Sequence, residues 1–144
     1  MSLYKHILVA LDLTEESNQI LDKAIGLADG CKISLVHVIE PLAYAYGGDI
    51  PMDLTEVQGQ LQQQASSQLA KLASSNNIPP EQQYVLIGQP AGEIHRLAGE
   101  KETDLIIVGS HGRRGLSLLL GSTANGVLHG AERDVLAVRV HVNK

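Results

Sequence analysis

At 144 residues the chain can bury a substantial core yet fits one domain, since domains commonly run from about 100 to 200 residues. Hydrophobic residues make up 44% and charged residues 19%, the proportions of an ordinary soluble protein, but without Phe or Trp the core must be aliphatic. A formal net charge of −5 speaks against nucleic acid as a partner, the single Cys31 excludes an internal disulfide, and no apolar run reaches the roughly 18 residues that span a bilayer. With no secretory signal among the opening residues, a reducing cytoplasm is the expected compartment.

Tyr4 to Leu11 reads as a buried strand, because Ile7 to Leu11 is continuously apolar instead of alternating. Ile20, Leu21, Ala24, Ile25 and Ala28 then recur at helical spacing, with Thr14 as the expected N-cap, Glu15 and Glu16 in the first turn and Gly30 as the stop. Lys32 to Ile39 supplies a second strand through Ile33, Leu35, Val36, Val38 and Ile39. Glu40 to Asp53, with Pro41, Gly47, Gly48 and Pro51, predicts a long loop. That loop is either a plain surface excursion or a lid over whatever binds beyond strand two. Leu54, Val57, Leu61, Ala65, Leu69 and Leu72 form the apolar stripe of one long helix with a Gln-rich outer face. Asn76, Asn77, Pro79 and Pro80 end it.

Tyr84 to Ile87 is a short strand, Pro90 opens a helix through Ile94, Leu97 and Ala98, and Leu105 to Gly109 is another apolar strand. Helical spacing returns at Ala124, Val127, Leu128 and Ala131 before a fifth strand, Val135 to Val142. Strands alternating with helices in this way predict a doubly wound α/β fold, an open parallel sheet with helices on both faces, as a single domain over residues 1–144.

In such sheets ligands bind beyond the carboxyl ends of the strands. Asp12, just past strand one, can accept hydrogen bonds from ribose hydroxyls or can cap the turn into the first helix. The stretch from Gly109, Ser110, His111, Gly112, Arg113 and Arg114 to Gly121, Ser122 and Thr123 offers glycines after a strand and then hydroxyls at a helix start. Bare amides and a helix N-terminus suit an anionic phosphate, while a plain turn followed by an ordinary cap is the alternative. No Lys precedes Ser122 as in a Walker A loop, GxGxxG is absent, and Ser110 lacks the glycine spacing of a nucleophile elbow. The six histidines show no metal-ligand spacing, so no metal site and no catalytic residue is assigned. Arg113 and Arg114 are either solvated or, one of them, an accessory phosphate contact.

KHILVALDLTEES, ISLVHVIE and above all DLIIVGSHGRRGLSLLLGSTANGVLHGAERDVLAVRV resemble the universal stress protein family over essentially the whole chain. The resemblance implies strand order 3-2-1-4-5, which sets Asp12 and Gly109 on either side of one crevice. It further implies ATP as the ligand there, with or without magnesium. Asp12 would meet the ribose and Val38 the adenine through its backbone. Gly109, His111, Gly112 and Arg113, together with Gly121, Ser122 and Thr123, would surround the phosphates. One departure from the family pattern stands out: eight residues separate Gly112 from Gly121 where nine are usual. The expected function is nucleotide-dependent regulation or protection under stress; a dimeric interaction protein that binds no nucleotide and a weak nucleotide phosphohydrolase are the alternatives. The resemblance also implies a homodimer through the edge strand Val135 to Val142, where Leu136, Val138, Val140 and Val142 present an apolar face.

Overall fold

The computed structural model describes residues 3–41, 55–111 and 122–141. The predicted loop from Glu40 to Asp53, lid or plain excursion, therefore lies almost wholly outside the described residues, as do Gly112, Arg113 and Gly121. Five strands, β1 (His6–Ala10), β2 (Lys32–Ile39), β3 (Gln83–Ile87), β4 (Leu105–His111) and β5 (Asp134–Val140), form one parallel sheet in the order β3-β2-β1-β4-β5. Helices α1 (Ser17–Ala28) and α2 (Thr55–Ser74) cover one face, and α3 (Pro90–Glu100) and α4 (Ser122–Leu128) the other. This is the expected doubly wound α/β fold.

The unbroken apolar runs of the central strands follow from this double cover. Ile7 and Val9 of β1 join Ile107 of β4 and Ile20, Leu21 and Ala24 of α1 in one core layer. Leu8, between them in sequence, points the other way and packs with Ile106, Val108, Ile94 and Val127. Two aliphatic layers thus replace the aromatic core the sequence cannot build. Gly126 lets α4 settle on α3, since a Cβ there would stand 2.8 Å from the Ala91 Cβ.

Four local expectations need correction. Helix α1 starts at Ser17, not after Thr14: Thr14 belongs to the turn closed by Asp12, whose carboxylate accepts from its N–H and hydroxyl, and Glu16 takes the cap position with no side-chain cap bond. Its predicted end holds, with Asp29 and Gly30 both at positive φ. In α2 only part of the predicted stripe is buried: Ala65 and Leu69 are, whereas Val57 and Leu61 are exposed. At 1.5 Å per residue the helix is about 30 Å long and outruns the short strands it covers. Strand β4 continues two residues past Gly109, because its pairing with β5 runs on to His111 opposite Val140. Finally, the apolar face of β5 is covered: Leu136, Val138 and Val140 pack into the α1 layer, and it is the outer ladder edge that β5 leaves without a strand among the described residues.

Candidate functional site

β1 and β4 lie side by side although their chain connections run in opposite directions, so their carboxyl ends mark the switch point of the sheet. β1 is short there. Its pairing with β4 ends at Val9 opposite Ile107, and its pairing with β2 at Ala10 opposite Val36. The longer neighbours stand past it on both sides and enclose a crevice of about 240 Å³. Asp12, His37, Val38, Gly109 and Thr123 line it, with Pro90 and Ile94 of α3 as an apolar wall. A second compartment of about 330 Å³ opens toward α2, adding Leu61, Gln64 and Gln68 and sharing Asp12, His37, Val38 and Glu40 with the first.

The chain leaves β1 through a tight turn. Asp12 Oδ1 accepts from the Thr14 N–H at 3.2 Å, the Thr14 hydroxyl at 2.9 Å and the Ser17 hydroxyl at 3.4 Å. Leu13 between them is left-handed at φ 61°, a conformation an ordinary side chain adopts only at a cost of about 1 kcal/mol or more. Packing of Leu13 against the α1 layer offsets that cost. The turn-capping role weighed for Asp12 is therefore realised, and the same exposed carboxylate also borders the crevice.

Gly109 has a structural reason of its own. A Cβ at that position would meet Ile20 Cδ1 at 2.6 Å and Val140 Cγ2 at 3.3 Å, so the Ile20 side chain of α1 lies where a side chain at 109 would stand. The bare backbone left at the crevice is a consequence of that packing. Thr123, in the first turn of α4, lines the crevice from the opposite side, and Ser122 is the first residue of that helix. His111 closes β4. No Lys or Arg lines the crevice among the described residues. Nor do they contain a group of three His, Cys, Asp or Glu side chains able to hold a metal ion.

His37, which carries no motif in the sequence, also belongs to the site. Its Nδ1 donates to the Leu11 carbonyl at 2.7 Å, tying the end of β2 to the turn after β1, and the ring borders both compartments. Its position near the last residues of a strand was the available signal.

Residues 3–139 match the model of the Universal stress protein family. The chain belongs to that family. It is 40% identical to universal stress protein A homolog 1 of Coxiella burnetii over 139 residues, 94% of this chain and 96% of that one. Homolog 2 of the same organism is 42% identical over 146 residues, with 97% and 98% covered. Among solved structures, the fold is similar to a hypothetical protein whose biochemical function was assigned from its structure, with a TM-score of 0.78, 24% identity and 99% of each chain covered. It is also similar to a universal stress protein in complex with cAMP, with a TM-score of 0.61, 24% identity and coverage of 96% and 98%. Among the described residues no helix of this universal stress protein is long and apolar enough to cross a membrane.

Proposed function

We propose that the switch-point crevice binds an adenine nucleotide, ATP with or without magnesium, and that occupancy regulates a protective response in the cytoplasm. The observation that carries this reading is the crevice itself. It combines an apolar wall for a base, a strand end that offers backbone groups, the Asp12 carboxylate and the bare backbone of Gly109 within one space of about 240 Å³. Asp12 accepts from the ribose hydroxyls, Val38 meets adenine, and amides from Gly109, Gly112, Gly121, Ser122 and Thr123 hold the phosphates. His111 and Arg113 add accessory contacts. Amides and hydroxyls suit this task because carboxylates, not cations, are the charged side chains that line the crevice among the described residues. The cAMP bound by a structural neighbour is an adenine nucleotide, which supports the same ligand class.

A second reading rests on the eight residues between Gly112 and Gly121, one fewer than the family pattern, and on the open edge of β5. It makes the protein a homodimer through Val135 to Val142 that acts by protein contacts alone. Titration calorimetry with ATP, run with and without magnesium, separates the two. Saturable heat and a raised melting temperature support the nucleotide site. Neither effect at millimolar ATP overturns it in favour of the interaction protein. Ser122→Ala sharpens the result: loss of one hydroxyl donor to a charged acceptor is worth about 1.5 to 3 kcal/mol, a fall of roughly ten-fold or more in affinity.

A further inference from the structure

Along a parallel ladder each residue turns its N–H and C=O toward one neighbouring strand, and successive residues alternate sides. The Val36 carbonyl accepts from Leu11 N at 2.9 Å, so Val36 faces β1. The Ile39 carbonyl accepts from Gly88 N at 2.9 Å, so Ile39, and with it His37, faces the β3 side. Val38 therefore faces β1. Continuing the register of Ala10 opposite Val36 would bring the Val38 N–H onto the Leu11 carbonyl. The His37 ring occupies that carbonyl instead, with Nδ1 donating at 2.7 Å. The ladder opens one bond early, and among the described residues the Val38 N–H and C=O take no partner on the side that lines the crevice.

We propose that His37 is a positioning residue that keeps the end of β2 unzipped, so that the Val38 peptide becomes a reading edge for a 6-aminopurine. This deepens the nucleotide reading and rests on it. A peptide offering one acceptor and one donor side by side complements an amino group next to an unprotonated ring nitrogen. A 6-oxopurine with a protonated ring nitrogen presents acceptor to acceptor and donor to donor. His37 thereby sets selectivity without touching the base.

The test uses the intact protein, its His37→Leu variant, which cannot hold Leu11, and His37→Asn, whose amide can donate from nearly the place of Nδ1. Amide exchange by NMR without nucleotide reads the latch directly. In the wild type the Val38 amide should exchange about 100-fold or more faster than amides within the ladder, as an open edge does. His37→Leu should protect it, and His37→Asn should leave it open. Titrations with ATP and GTP then read the consequence. His37→Leu should lose the ATP preference, about ten-fold for a mispaired hydrogen bond, through weaker ATP binding with GTP unchanged. His37→Asn should keep it. A wild-type Val38 amide protected like its ladder neighbours overturns the inference, and so does equal weakening of ATP and GTP in His37→Leu. An open Val38 amide with no binding of either nucleotide defeats the nucleotide reading, and the selectivity claim falls with it.

Discussion

The two ends of the sheet are built on opposite plans. At the amino end the starts of β1, β2 and β4 are tied down. His6, buried, places Nε2 at 2.7 Å from the fully buried Ser34 hydroxyl and donates from Nδ1 to the Lys101 carbonyl at 3.0 Å. The Asp104 carboxylate accepts from the backbone N–H groups of Lys5 and His6, and Arg133 donates to the Thr103 carbonyl. At the carboxyl end the β1 ladders stop early, Leu13 is held in a strained conformation and a histidine ring replaces a ladder bond. The amino end ties strands together, and on the proposed reading the carboxyl end holds the nucleotide, so substitutions at the two ends should separate melting temperature from affinity.

The largest separation is expected from His6→Ala. It removes a buried ring and strands the Ser34 hydroxyl, which together should cost about 3 to 5 kcal/mol by the usual figures for a core truncation plus an unsatisfied buried group. Chemical denaturation measures the loss. Nucleotide affinity of the folded fraction should stay within two-fold, about 0.4 kcal/mol, of the wild type. A matching drop in affinity would mean that the two ends are coupled through β1.

Gly109→Ala should break the division, because Gly109 packs against Ile20 and also lines the crevice proposed to hold the nucleotide. The added Cβ drives into Ile20 Cδ1, backed by the α1 core, and overpacking of this kind costs about 1 to 3 kcal/mol. The same methyl group displaces the Ile20 side chain, which also lines the crevice. Stability by thermal melting and ATP affinity by calorimetry should therefore fall together. Loss of stability with affinity unchanged would leave Gly109 a packing glycine only.

Acid sharpens the comparison at the amino end. Burial holds His6 below the ordinary histidine value of 6.5, with the Lys32 charge acting the same way and the bond to the Lys101 carbonyl acting against them. As pH falls below that value the unfolded chain takes up the proton first. The stabilising contribution of neutral His6 is therefore complete above the unfolded value and is lost as pH drops through the native one. Melting temperature should decline from pH 7 to 5, and His6→Gln should flatten part of that decline. An equal slope in both proteins assigns the acid sensitivity elsewhere.

Much of the fold was legible because each strand and helix carries its period in local residues: the apolar runs of β1, β2 and β4 announce double cover, and Pro90 and Gly30 mark boundaries. The misreadings share a cause in contacts made across the chain. Thr14 looks like a helix cap until the turn it forms with Asp12 delays the helix to Ser17. Val57 and Leu61 look like core until the length of α2 is set against the strands. Gly109 was legible as a glycine after a strand, but its reason, Ile20 of α1, is a tertiary neighbour. The place of His37 near the end of a strand was legible, but its partner was not, since nothing in ISLVHVIE reveals that Leu11 ends opposite the ring.

The smallest effect on stability, and the finest test of the carboxyl end, belongs to Asp12→Ala. The carboxylate is exposed, and the Thr14 groups it binds can turn to water once it is gone, so the fold should lose only about 1 kcal/mol. On the proposed reading affinity should change more, because the carboxylate assigned to the ribose hydroxyls is lost from the turn that borders the crevice. ATP and ADP should weaken by the same factor, since the ribose is common to both. Asp12→Asn separates the two duties: its amide oxygen keeps the turn acceptor, so melting temperature should recover while affinity recovers only in part. Calorimetry with both nucleotides and a melting curve for each variant read these outcomes. Weakening of ATP alone would move Asp12 to the terminal phosphate and its magnesium. No change with either nucleotide would make Asp12 a turn residue, its only duty the one it already performs between Leu11 and Ser17.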